Sequence, residues 1–165
     1  GPYDVVRTAF EAVGQVDLWR VAVQPGKPFA FGRATDPGRG VPVLLFGLPG
    51  NPVSAFVTFE LFVRPVLRRM AGHGRLHRPA DRAVLEDPVT KSFGRRGYQR
   101  VIAVRAPDGS PIRDAEGRCR VRLAGGQGSH VLSALAAADA LAVIPEPFDH
   151  VAAGTEVELR WLDRG

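Results

Sequence analysis

The chain has 165 residues, 45% of them apolar and 24% charged, and its 22 lysines and arginines outnumber 17 aspartates and glutamates to give a net charge of +5. That length and apolar content suit one ordinary domain, or one small domain plus a piece of another, and exclude a disordered chain. No apolar run approaches the roughly 18 residues of a membrane span, and the first residues lack the regions of a signal peptide, so a cytoplasmic protein without a membrane partner is expected.

Cys119 is the single cysteine, which leaves neither a disulfide framework nor a multi-cysteine metal site and makes it a structural residue. The surplus positive charge is nearly all arginine, which suits a polyanionic or oxyanionic partner or a solubilising surface. Aromatics are not interleaved with it and no helix-turn-helix or zinc-finger spacing occurs, so nucleic acid is not the expected partner.

In chain order, Val5, Val6, Ala9, Phe10 and Val13 recur at helical spacing, with Asp4 in the first turn and Gly14 as cap, predicting a helix over residues 3–13. Residues 18–23 read as a strand. Residues 25–42 are rich in proline and glycine and read as loop, with at most a short extended piece at 29–31. Residues 43–46 are apolar throughout, as in a strand covered on both faces. The run Leu48-Pro49-Gly50-Asn51-Pro52-Val53 then opens a helix to about residue 71, with Asn51 as N-cap and Pro52 at the first helical position. Pro65 should kink this helix, and Gly72 should cap it.

A change of composition at residues 73–79 marks a boundary between domains 1–74 and 75–165. Beyond it come short, mostly antiparallel strands near 83–86, 99–106, 120–124, 141–145 and 155–162, with turns at Asp108-Gly109 and Glu116-Gly117 and a short helix between 128 and 139. These predict a small barrel or sandwich. Residues 1–74 read as the incomplete end of a doubly wound α/β domain, because two parallel strands alone make no stable sheet.

Three ordered segments make the pattern specific: Val21-Ala22-Val23-Gln24-Pro25-Gly26-Lys27-Pro28, Gly47-Leu48-Pro49-Gly50-Asn51-Pro52-Val53-Ser54-Ala55 and Gly126-Gln127-Gly128-Ser129-His130. Together they resemble the MoeA family, including the gephyrin E domain, along essentially the whole chain. The resemblance implies the end of the third domain, a molybdopterin-binding α/β fold, followed by the fourth, a small β-barrel. It further implies a homodimer that inserts molybdate into adenylylated molybdopterin with magnesium and releases AMP, supplied by molybdopterin adenylyltransferase upstream. A non-catalytic molybdopterin-binding or scaffolding module is the alternative.

Individual residues carry these expectations. Lys27 lies in a Pro-Gly-Lys-Pro turn that presents an ammonium either to solvent or to an oxyanion; the resemblance implies the oxyanion, with Pro28 shaping the pocket. Gln24 stands where many members carry a second lysine, and Arg20 occupies another basic position of the family. Pro49, Gly50, Asn51 and Pro52 either turn strand into helix or shape the pterin-phosphate site, and Ser54 either donates its hydroxyl or bonds the helix backbone. Arg100 shares a strand face with Tyr98, Ile102 and Val104, so its guanidinium needs an anion or an exit to solvent. Ser129 is a helix cap or an anion contact, and His130 beside it is structural. Asp4 is a favourable neighbour of a helix dipole; the resemblance implies a catalytic acid that also ligates magnesium.

Overall fold

In the computed structural model, which describes residues 2–128 and 130–162, helix α1 (Pro2–Val13) runs directly into strand β1 (Gly14–Arg20). Gly14 is therefore not a helix cap. A Cβ there would meet the Arg33 carbonyl oxygen at 2.1 Å, so the glycine permits close approach of two backbones.

Strands β2 (Val23–Gln24), β3 (Pro28–Thr35) and β4 (Pro42–Gly47) follow. β3 is far longer than the 29–31 piece expected, because Pro28 opens the strand and Gly32 sits inside it against the backbone of Gln15, where a Cβ would have 2.5 Å. β1, β3 and β4 form a three-stranded sheet whose pairings are both antiparallel. The connections explain the direction: residues 36–41 are too few for the crossover that parallel strands need. Doubly wound sheets commonly carry such an antiparallel edge. The expected 18–23 strand is in fact two elements in two sheets, β1 ending at Arg20 and β2 resuming at Val23.

The long helix is continuous as α2 (Pro52–Thr58), a π-helical turn (Phe59–Val63) and α3 (Arg64–Met70). Pro65 has no N–H to donate, and the helix answers by widening in the preceding turn, where the Arg64 N–H reaches the Phe59 carbonyl. The expected kink is thus a π turn. Gly72, at φ +79, ends the helix, with the His73 N–H donating to the Arg68 carbonyl at 2.9 Å.

Strands β5 (Ala80–Leu85), β6 (Val89–Thr90), β7 (Arg96–Ala103) and β8 (Cys119–Leu123), helix α4 (Leu132–Ala137), and strands β9 (Ala140–Ile144), β10 (His150–Val151) and β11 (Glu156–Trp161) complete the chain. The order β7-β8-β5-β11-β9 closes through a β7–β9 ladder into a five-stranded barrel. Only its β5–β8 pairing is parallel. Leu85, Val101, Cys119, Val121, Ile144, Val157 and Leu159 fill the interior. Inward residues alternate with outward charges, as Glu156 and Glu158 show on β11.

A second core lies outside the barrel. Tyr98, Leu141 and Val143 on its outer wall pack with Val23 and Val57, flanked by Phe56, Leu61 and Phe62. Phe62 also meets Phe29 with ring centroids 4.7 Å apart. Backbone joins the same two parts: β2 pairs in parallel with β7, and the Arg96 N–H donates to the Ala22 carbonyl at 2.9 Å. The opposite side of α3 is open, with Met70 71% exposed.

Candidate functional site

The turn after β2 is fixed by Gly26, whose φ of +126 excludes most side chains and whose Cβ would lie 2.5 Å from Thr58 Cγ2. The turn is therefore seated directly on α2, and the Val21 N–H closes it on the Lys27 carbonyl at 3.2 Å. The Lys27 side chain is exposed on its outer edge. Asn51 has the extended backbone of an N-cap, and its carbonyl accepts the Ala55 N–H at 2.8 Å. Its side chain makes no cap bond, and Oδ1 is buried without a partner among the described residues. The capping expected of Asn51 is thus conformational only.

These segments form one wall of a cavity of about 610 Å³, to which Gln24, Lys27, Pro28, Pro49, Asn51 and Ser54 contribute. The barrel supplies the facing wall through Thr90, Ser92, Arg95, Gln99, Gln127 and Gly128. Gln24 Oε1 accepts the Ser92 N–H at 2.9 Å and so bridges the two walls. No aspartate or glutamate lines the cavity among the described residues.

Arg100 lies behind the barrel wall, fully buried on β7. Its Nη2 donates to the Gly126 carbonyl at 2.9 Å and the Gly128 carbonyl at 3.2 Å, while Nε and Nη1 have no partner among the described residues. The guanidinium therefore finds neither the anion nor the solvent exit that its position on the strand calls for, and burial pushes its pKa down. Gln127 holds this arginine by the backbone: its Oε1 accepts the Arg100 N–H at 2.9 Å, and its Nε2 donates to the Arg100 carbonyl at 3.1 Å.

Lys91 is buried as well, its Nζ donating over 3.3 Å to the Ser92 carbonyl and 3.4 Å to the Glu146 carbonyl. Desolvation lowers its pKa, opposed by Glu146 and Asp149. Two neighbouring arginines have opposite surroundings: Arg96 pairs with Glu146 at 3.1 Å, whereas the Arg95 side chain, on the cavity wall, has no hydrogen bond or ion pair among the described residues.

The structure gathers Gln24, Lys27, Pro28, Pro49, Asn51 and Ser54 around one space and sets Arg100 behind it. Arg20 ends β1 opposite Pro28, exposed and off the wall. Gly50 and Pro52 are exposed and also off the wall. Asp4 falls in the first turn of α1 with its side chain outside the described set, and Ser129 lies outside the described residues. Sequence reading missed Thr90, Ser92, Arg95, Gln99 and Gln127 as wall residues. Gln127 stands inside a quoted motif, and the Gly94-Arg95-Arg96-Gly97 run was a visible signal.

A smaller recess of about 220 Å³ lies between the π turn and the outer barrel. Its cations are matched: Arg78 holds Glu60 at 2.8 and 3.0 Å, Arg96 holds Glu146, and Arg160 holds Glu158 at 2.5 Å. Unmatched positive charge is thus a property of the larger cavity.

Comparison with known proteins bears on the family and the fold. Residues 1–69 match the family described as probable molybdopterin binding domain, and residues 82–161 match the MoeA C-terminal region, domain IV. The chain is 34% identical over 160 residues to a molybdopterin molybdenumtransferase of Haemophilus influenzae, covering 96% of this chain and 36% of the relative. It is 37% identical over 165 residues to molybdopterin molybdenumtransferase 2 of Mycobacterium tuberculosis, again covering 96% and 36%. It is 33% identical over 175 residues to gephyrin of Dictyostelium discoideum, covering 96% and 23%. A crystal structure of the molybdopterin biosynthesis moeA protein from Pyrococcus horikoshii OT3 superposes with a TM-score of 0.64 at 27% identity, covering 90% of this chain and 33% of that one. The chain thus spans about a third of the length of the transferases it matches.

Proposed function

We propose that this chain, which belongs to the MoeA family, forms the oxyanion-binding end of a molybdopterin molybdenumtransferase. The reaction inserts molybdate into adenylylated molybdopterin and releases AMP. One observation carries the reading: a fully buried guanidinium, Arg100, with two nitrogens unpaired and no carboxylate beside it among the described residues, stands behind a cavity that Lys27 faces from the other side. A buried cation without a counter-ion is costly, and a tetrahedral dianion supplies the missing acceptors.

In this reading Lys27 contacts the oxyanion from one wall and Arg100 adds its charge from behind the facing wall, while Pro28 and the loop from Pro49 to Ser54 shape the space for the pterin phosphate. The contribution to rate is positioning and electrostatic, with no covalent nucleophile. Magnesium has no fitted site among the described residues: the wall carries no carboxylate, and no group of three or more His, Cys, Asp or Glu gathers elsewhere. No step is therefore derived through it. A cytoplasmic homodimer fed by molybdopterin adenylyltransferase completes the reading, supported by the exposed Leu67 and Met70 on α3 as a surface for a second copy.

Equilibrium dialysis of molybdate and of adenylylated molybdopterin against the full-length protein, followed by measurement of AMP release, tests the proposal. Lys27→Ala and Arg100→Met should each weaken molybdate binding at least about tenfold. Molybdate binding indifferent to both substitutions overturns it, and binding without AMP release selects the scaffolding alternative.

A further inference from the structure

We infer that Arg95 is a second oxyanion contact of this cavity, standing in from the barrel for the positive charge that Gln24 lacks; this rests on the oxyanion reading above. Arg95 and Lys27 are the two cationic residues on the cavity wall, and neither side chain has a carboxylate or hydrogen-bond partner among the described residues. They stand on different folded units, Lys27 on the turn between β2 and β3, Arg95 just before β7. Arg96, one residue on, is neutralised by Glu146 and lines the smaller recess instead. Arg20, Arg39, Arg69, Arg75 and Arg122 also lack a carboxylate among the described residues, but Arg95 is the arginine that lines the cavity.

Gln24 is neutral, yet it is coupled to the same segment. Its Oε1 accepts the N–H of Ser92, three residues before Arg95, at 2.9 Å. A lysine at position 24 has three donors and no acceptor, so it would bring charge but release that N–H. Glutamine does the opposite: it gives up the charge and fastens the loop that carries Arg95 over the cavity. Gly94, at φ +75, lets the chain turn there, and its N–H donates to the Glu146 carbonyl at 3.0 Å, fixing the other side of the loop. Guanidinium suits the task, since its planar fork holds two oxygens of one oxyanion at once.

The test is molybdate binding by equilibrium dialysis to the full-length protein at fixed low ionic strength. Arg95→Ala should weaken binding about tenfold, Arg96→Ala should leave it unchanged, and Gln24→Lys placed on Arg95→Ala should restore most of the loss. Circular dichroism and Tm should stay at wild-type values for Arg95→Ala, because its side chain makes no hydrogen bond or ion pair among the described residues. If Lys27→Ala weakens binding and Arg95→Ala does not, the inference fails while the oxyanion reading stands. If neither substitution has an effect, the reading fails and takes the inference with it. Loss on Arg95→Ala that Gln24→Lys leaves uncorrected overturns the exchange of charge between the two positions.

Discussion

Gln127 and Arg100 grip each other through the main chain, the Gln127 amide accepting the Arg100 N–H at 2.9 Å and donating to its carbonyl at 3.1 Å. A glutamine on the glycine-rich turn thus serves as an extra rung beside β7, and it sets the depth at which the guanidinium sits. Gln127→Leu removes both bonds and the one its amide donates to the Gly125 carbonyl at 2.9 Å; it strands the Arg100 N–H, while the Arg100 carbonyl keeps the Ala124 N–H at 2.9 Å. A stability loss of about 1–3 kcal/mol in urea unfolding is expected, together with weaker molybdate binding although no anion contact is removed.

Arg100→Met should separate stability from binding. The guanidinium is fully buried and only partly satisfied by carbonyls, so an unbranched apolar side chain of similar reach should leave the fold as stable as before, or about 1–4 kcal/mol more stable. Oxyanion binding should be lost in the same variant. A fall in Tm alongside retained binding contradicts the role assigned to this arginine.

Gly26→Ala should damage both the fold and the site. The backbone at φ +126 costs an alanine about 1–3 kcal/mol, and its methyl would lie 2.5 Å from Thr58 Cγ2. Adding Thr58→Ser removes the collision but not the backbone strain, so the double variant should recover only part of the loss in chemical denaturation.

Asp81 should stabilise the barrel in a pH-dependent way. Its carboxylate accepts from Arg113 at 2.6 Å, from Trp161 Nε1 at 3.1 Å and from the Arg82 N–H at 2.8 Å. The Arg113 bond leads in holding its pKa well below the ordinary 3.8. The folded state then binds fewer protons than the unfolded state below 3.8, so the contribution is complete above that pH and is lost as pH falls toward the lowered value. Asp81→Asn should cost about 1–2 kcal/mol at pH 6, and its deficit against wild type should shrink steadily below pH 3.8, measured by urea midpoints.

Cys119 should be chemically silent in the native protein. It is fully buried, its thiol faces Asp81 Oδ2 at 3.6 Å, and burial pushes its pKa up from 9.0. Labelling by iodoacetamide at pH 8 should proceed at the rate of barrel opening and accelerate with urea in step with unfolding. Rapid labelling in buffer would place the thiol elsewhere.

Much of this architecture was legible because period and hydrophobicity agree over long stretches. The 52–70 helix and the five barrel strands carry the patterns that one buried face imposes, as Val157 and Leu159 do on β11. β6 and β10, two residues each, are too short to show any period. β3 was hidden by Pro28 and Gly32, which mark a loop in local terms and serve a strand once β1 lies beside them. Arg20 was expected at the site through the family resemblance, but β1 has register shifts between Val16 and Leu18 and between Leu18 and Arg20, and such irregularities change which way a side chain faces. Arg100 could be read as a misplaced charge from its strand alone. Gln127 and Arg95 could not, because their roles exist only once separate loops meet.

The pairing of Val23 and Gln24 with β7 also bears on any exchange of barrels between relatives. A cut through residues 71–79 divides the covalent chain cleanly, yet it leaves behind two residues that belong to the incoming barrel's own hydrogen-bond ladder. A grafted barrel must therefore offer a vacant edge in matching register, or the hybrid will fold as two sound halves that share no pocket.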